Sequence, residues 1–425
     1  MKLSNKVKRT GISEIASCFL ILLLAFSHGC AAAESTVSNQ IEEKPDFELQ
    51  HGDRVVLLGN SLIQNDIEYG YIEYALTTRW PQKDITFRNL GWTGDTVHGE
   101  ARSYFTTPPE SYELLIQQLQ EAEPTVVFIG YGANESYGGA EGLSEFKKGM
   151  QTLLDEIKKM GAEAVLLSPI PQISGLSPDE LSARNEDIRL YASAISEIAF
   201  ENEIRYIDLF SPFEDYDHPD QLASDGIHLN QKGYYFLASV LEEELGLSVR
   251  TWTVDIDFSE QRVDTHGPVE ILEDQFNNQN ITFTANASIL PFPPPATDAA
   301  MENKPVIRFK IEGLPEGYYT LKMGAMDIRT ASAEKWSDGD GITVKQGILY
   351  KQASELKEKI VQKNQLFFRK YRPTNRTYLV GFRSHEQGQN SKELEQLGLF
   401  INRLENKISQ LRKPRPDNYR LIAIE

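Results

Sequence analysis

Cysteine is almost missing from this chain. Cys18 and Cys30 are its two thiols, and both fall in the N-terminal leader. The exported chain that follows a leader has no pair from which to build a disulfide, although it leaves a reducing compartment. Cysteine catalysis and thiolate metal sites are excluded for the same reason. Positive charge is also short. Lys and Arg number 43 against 62 Asp and Glu, for a net charge of -19. That balance argues against nucleic acid, whose phosphates need clustered cations. It equally disfavours simple adsorption to anionic lipid. Beyond the leader no apolar run is long enough to span a bilayer, and no internal repeat is visible. A hydrophobic fraction of 40% still supports ordinary cores. The length, 425 residues, predicts two or three domains.

The leader itself is readable. Lys2, Lys6, Lys8 and Arg9 form a basic segment, and Cys18 to Phe26 is an apolar stretch too short for a span. Ala31-Ala32-Ala33 fits a cleavage site, so residues 1–33 read as a signal peptide. Gly29-Cys30 fits a lipoprotein signal instead, with Cys30 lipidated. Ser27 and His28 stand where a Leu and a small residue are expected, which puts plain export ahead. A lipid on Cys30 is the one membrane attachment the sequence admits. The expected location is periplasmic or extracellular.

Residues 34–48 are polar and read as a linker. Over residues 49–247 strands and helices then alternate. Apolar runs at Val55–Leu58, Ile85–Leu90, Thr125–Gly130, Ala164–Ser168 and Ile204–Leu209 read as buried strands. Helical stretches follow at Ile67–Arg79, Ser111–Glu121, Leu143–Met160, Asp179–Glu201 and Lys232–Leu245. Such alternation predicts a five-stranded parallel sheet between two helical layers. Residues 248–346 change character: period-two pieces and turn signals predict a small antiparallel sheet or sandwich. Residues 347–425 read as a helical region, with helices over Gly347–Tyr371 and Ser391–Lys413.

The chemistry concentrates on one edge of the first domain. Ser61 follows the first strand in Gly59-Asn60-Ser61-Leu62, and Gly94 lies past the second in Gly91-Trp92-Thr93-Gly94-Asp95. Asn134 lies past the third in Gly132-Ala133-Asn134-Glu135. The loop after the fifth carries Asp225-Gly226-Ile227-His228. Parallel strands put these ends on the same side, where open α/β sheets keep their sites. A serine hydroxyl needs a base to become a nucleophile. His228 suits that role, and an Asp three residues earlier can orient its ring. The N–H groups of Ser61 and Gly94 and the Asn134 amide are candidate donors to an oxyanion. A plainer reading also exists for Ser61, since serine is a favoured helix N-cap.

Ser, Gly, Asn and His in this order, with Asp-x-x-His last, resemble the SGNH (GDSL-type) hydrolase superfamily. The resemblance covers residues 50–247. It implies a flavodoxin-like three-layer α/β/α fold and hydrolysis of esters, including thioesters and acetylated sugars, without a cofactor. Ser61, Gly94, Asn134 and the Asp225–His228 pair carry over. Two positions depart: the family's Gly-Asp-Ser is Gly59-Asn60-Ser61, and its Gly-x-Asn-Asp ends in Glu135. Neither change removes an atom that forms or breaks a bond. The C-terminal half resembles extensions on exported planctomycete-type members.

The expectation is therefore an exported serine esterase forming an acyl-enzyme on Ser61, acting on an acetyl ester of a carbohydrate. No amphipathic apolar lid is visible, which disfavours a lipase. Two alternatives stay open. One is an inactive domain that binds glycans, permitted by Asn60 and Glu135. The other is a transferase using the same acyl-enzyme. Trp92 and Tyr131 flank the oxyanion donors and are candidates to stack on a sugar. Arg383 and His385 lie in a donor-rich connector that either reaches the site or ties the last region down. Asp215 to Asp220, with His218 among them, reads as a solvated acidic loop, and no metal is expected.

Overall fold

Val55, Val56, Leu57 and Leu58 are all buried, and alternate residues enter opposite cores. A strand apolar on both faces can lie only in the middle of a layered α/β sheet. Each such side chain contributes roughly 1.5–3 kcal/mol when buried, so polar chemistry is confined to the strand ends. The computed structural model describes residues 47–102, 110–277, 280–295, 307–339, 341–342, 347–373 and 390–424. The leader and most of the linker, residues 1–46, lie outside the described residues.

Five parallel strands form the first sheet: β1 (Arg54–Gly59), β2 (Thr86–Asn89), β3 (Val126–Gly130), β4 (Glu163–Leu167) and β5 (Arg205–Ile207). Their order, β2-β1-β3-β4-β5, puts a topological switch between β1 and β3. The helices between them are α1 (Ser61–Tyr69), α2 (Tyr71–Arg79), α3 (Ser111–Ala122), α4 (Gly139–Lys159), α5 (Pro178–Glu201) and the short α6 (Phe210–Glu214). A final helix, α7 (Gln231–Glu244), closes the layer. This is the expected three-layer α/β/α fold. The helix expected to begin at Ile67 starts at Ser61 instead. A left-handed Gly70 (φ +68°) divides it into α1 and α2. Gly59 and Gly130 face each other in register at the ends of β1 and β3. A Cβ on Gly59 would stand 2.5 Å from the Gly130 carbonyl oxygen, so the strands approach there only through glycine.

The accessory region is a sandwich. One sheet orders β13 (Gly341–Ile342), β10 (Ile307–Glu312), β6 (Trp252–Asp257) and β7 (Arg262–His266), with β6 and β10 parallel. The other is antiparallel and orders β12 (Met326–Ser332), β11 (Tyr318–Met323), β14 (Asp417–Ile424), β9 (Asn280–Ala287) and β8 (Val269–Asn277). Val254, Phe283, Phe309 and Tyr419 share its core, and the short α8 (Ala333–Ser337) adds Trp336. Reading the last region as purely helical is thus corrected. Its final strand, β14, lies between β9 and β11, because Tyr419 and Leu421 need the sandwich core.

The helical pair, α9 (Ile348–Tyr371) and α10 (Asn390–Leu411), packs on the hydrolase layer. Leu349, Ala353, Leu356 and Ile360 recur at spacings of three and four and enter one core beside α1 and α2. Where that stripe continues, Lys363 is buried and its Nζ donates to Glu73 Oε2 at 2.7 Å and to the Phe87 carbonyl at 2.9 Å. Asn364 donates to the same Glu73 oxygen at 2.9 Å. Desolvation pushes Glu73 up and Lys363 down, each opposed by its partner's charge. Removing one member leaves a buried charge alone. Lys363→Met is expected to cost about 3–5 kcal/mol. Adding Glu73→Leu should restore most of it, as urea unfolding of both variants would show.

Candidate active site

The serine stands where a strand becomes a helix. Asn60 is the N-cap of α1, and its Oδ1 accepts from the Leu62 N–H at 3.1 Å. Ser61 is therefore the first residue inside the helix, and the capping role read for it belongs to Asn60. Its N–H is among those a helix start leaves without an intrahelical partner. Tyr234 of α7 donates to the Leu62 carbonyl at 2.8 Å and stacks on Tyr69, which pins the helix.

The imidazole comes from a tight turn ahead of α7. His228 Nδ1 and Asp225 Oδ2 are 2.7 Å apart. The other carboxylate oxygen accepts from the N–H of Ile227 at 3.0 Å and of His228 at 2.7 Å. The His228 bond first, then the two backbone donors, hold the Asp225 carboxyl down at about 2. Gly226 sits at φ +85°, and a Cβ there would lie 2.5 Å from the Ser174 carbonyl oxygen. The turn thus needs glycine both for its backbone and for its fit against residues 173–174. Asn230 then caps α7 through the N–H groups of Lys232 and Gly233.

Ser61, Asn134 and His228 line one cavity of about 70 Å³. Its remaining wall includes Leu62, Pro169, Ile170, Ile188 and Leu229, so the site is apolar with a few converging polar groups. Asn134 Nδ2 donates one hydrogen to the Asp95 carbonyl at 2.7 Å. An amide nitrogen carries two, so one N–H is left for a ligand. Gly94 does not line this cavity. It is exposed at φ +80°, in a turn closed by the Asp95 N–H on the Trp92 carbonyl at 3.0 Å. Gly91, the other glycine of this loop, is already engaged, since its N–H donates to Asn89 Oδ1 at 2.9 Å.

Side chains to which the sequence assigned no supporting role hold these loops. Asp95 Oδ2 accepts from Arg102 Nε at 2.7 Å and from the Tyr131 hydroxyl at 2.8 Å, all three side chains being buried. Glu135 accepts from the N–H of Val97 and of Gly132, both at 2.8 Å. It thereby ties the Asn134 loop to the loop after β2, and burial pushes its carboxyl up to about 7. Gln64 Oε1 accepts from the Thr93 N–H at 2.8 Å and from Arg372 at 3.0 Å. Tyr371 donates to the Gly91 carbonyl at 2.7 Å. The end of α9 therefore braces the loop that carries Gly94.

This placement corrects two substrate-binding assignments. Trp92 is 3% exposed and lies under two guanidinium groups, Arg372 at 3.8 Å and Arg102 at 5.2 Å from its ring. Tyr131 is fully buried with its hydroxyl on Asp95. Neither offers a face to a sugar. Arg383 and His385 lie outside the described residues.

The family model for GDSL-like lipases and acylhydrolases matches residues 57–236. No curated protein matches the sequence. Among solved structures, a gut microbial diltiazem-metabolizing enzyme superposes with a TM-score of 0.70 at 18% identity, over 89% of this chain and 99% of that one. An acetylxylan esterase from Geobacillus stearothermophilus aligns at 21% identity with a TM-score of 0.37, over 48% of this chain and 98% of its own. A hydrolase from the metagenome of Lake Arreo, Spain, aligns at 18% identity with a TM-score of 0.38, over 47% and 97%. The matched stretch contains Ser61, Gly94, Asn134, Asp225 and His228, and residues 57–236 belong to the GDSL-like lipase/acylhydrolase family, a hydrolase domain acting on ester bonds.

Proposed function

We propose that this chain is an exported serine esterase that removes short acyl groups, acetyl above all, from carbohydrate. The observation that carries the proposal is the meeting of Ser61, Asn134 and an Asp225-anchored His228 on one cavity wall. His228, with Nδ1 held by Asp225, has Nε2 to take the Ser61 proton and later return it to the leaving alcohol. The Ser61 N–H and the second N–H of Asn134 receive the oxyanion. The Gly94 N–H, in the loop after β2, is the third candidate donor. The apolar walls of the cavity suit an uncharged acyl group. The leader supports export, with plain secretion ahead of an anchor on Cys30. Export and the accessory sandwich support a polymeric sugar as the alcohol. Asn60 and Glu135, which left room for an inactive binding domain, serve as a helix cap and a loop tie that support the site.

The test is hydrolysis of p-nitrophenyl esters of rising chain length together with acetate release from acetylated polysaccharides. Acetate is expected to be the best acyl group, with kcat/KM falling steadily to octanoate. A maximum at octanoate would overturn the short-acyl assignment, and folded protein inactive on every ester would overturn the esterase itself.

A further inference from the structure

Arg184 is out of keeping with other arginines of this acidic chain that are wholly or partly shielded from water. Arg79, Arg88, Arg102 and Arg250 each hold a carboxylate. Arg184 holds none. Its Nη2 donates to the Ala133 carbonyl at 2.8 Å, while Nε and Nη1 are shielded from water with no hydrogen-bond partner. It lines the same cavity as Ser61, Asn134 and His228. Among the described residues, no Asp or Glu lines that cavity. In a protein of net charge -19, an acid-free pocket around an unpaired guanidinium is a pronounced local reversal. Buried donors without partners are unfavourable unless something completes them.

The surroundings show how they could be completed. Arg184 projects from the second turn of α5, a rigid element, so its position does not depend on a loop. The ring of Tyr137 lies 3.6 Å from its guanidinium carbon, yet Tyr137 is itself 68% exposed and also lines the cavity. An exposed ring is free to turn aside and uncover the donors. With the acetyl group at Ser61 and Asn134, the rest of the cavity meets the alcohol part of the ester. A guanidinium with free N–H groups in such a place is matched best by a carboxylate.

We propose that Arg184 selects acetyl esters whose alcohol part bears a carboxylate, as in an acetylated uronic acid. The inference rests on the esterase reading above. It is tested with 4-acetoxybenzoate and its neutral methyl ester, measuring kcat/KM for the wild type, Arg184→Ala and Arg184→Lys. Dividing the anionic-to-neutral ratio of each variant by that of the wild type cancels the intrinsic reactivity of the two esters. The ratio is expected to fall roughly 10- to 100-fold in Arg184→Ala. The loss should sit mainly in KM for the anionic ester, and Arg184→Lys, which keeps the charge, should recover part of it. Equal losses on both esters would mean that Arg184 only holds the Ala133 carbonyl, and would overturn the proposal. So would a variant ratio equal to that of the wild type. Activity of the wild type on the neutral ester, lost in Ser61→Ala, separates these results from failure of the esterase reading, which would appear as inactivity on both esters.

Discussion

Ser61→Ala will lower kcat on p-nitrophenyl acetate by a factor on the order of 10⁵ to 10⁶ and leave the fold unchanged. The two halves of that expectation have separate grounds. Covalent catalysis needs the Ser61 oxygen, and among the described residues no other hydroxyl shares the cavity with His228 except that of a tyrosine, Tyr137 or Tyr234. The Tyr234 hydroxyl is committed to the Leu62 carbonyl. Stability is another matter, because Asn60 rather than Ser61 caps α1. Alanine is a better helix former than serine, and the cap remains, so the change in stability should stay within about 0.5 kcal/mol. Thermal melting checks this half. A fluorophosphonate probe checks the other, since only an activated serine is labelled. Labelling that persisted in Ser61→Ala would place the nucleophile elsewhere.

Much of this site was legible because its chemistry is local in sequence. Asp225 and His228 are three apart, so their pairing follows from one turn. Ser61 follows a run, Val55 to Leu58, that is buried on both faces and therefore announces itself as a strand. The supports were not legible, because their partners are far away along the chain. Nothing near Asp95 marks Tyr131 or Asn134 as its contacts, and nothing near Gly91 marks Tyr371. Arg184 reads as one more charge on a helix until the cavity beside it is seen. Trp92 and Tyr131 misled for the opposite reason. They stand next to the right residues, but large rings at strand ends fill core space, and both are buried. One signal was available and not used. Tyr419 and Leu421 alternate with Asn418 and Arg420, a period-two pattern that marks β14.

Asp225→Asn should lower kcat by about 10⁴-fold without disturbing the turn that holds it. In the wild type every bond to the Asp225 carboxylate is a donation to it. Oδ1 takes the N–H groups of Ile227 and His228, and Oδ2 takes the proton on His228 Nδ1. An asparagine keeps an oxygen for the backbone donors, so the turn survives. It presents an amide N–H to Nδ1 instead of an acceptor. That contact is favourable only when Nδ1 is unprotonated, which moves the imidazole proton to Nε2. Nε2 is then a donor and cannot accept the Ser61 proton. The same geometry sets a pH expectation. The Asp225 carboxyl is lowered from 3.8 to about 2, so its stabilising bond to His228 is fully present above pH 3.8 and is lost as pH falls through 2. Any decline in wild-type activity on acidification above pH 4 must therefore come from a group other than Asp225. A full pH–rate profile of both proteins is the measurement. Asp225→Asn should be depressed across the whole neutral range. If it stayed within tenfold of the wild type there, orientation of the His228 tautomer by Asp225 would have no part in the reaction.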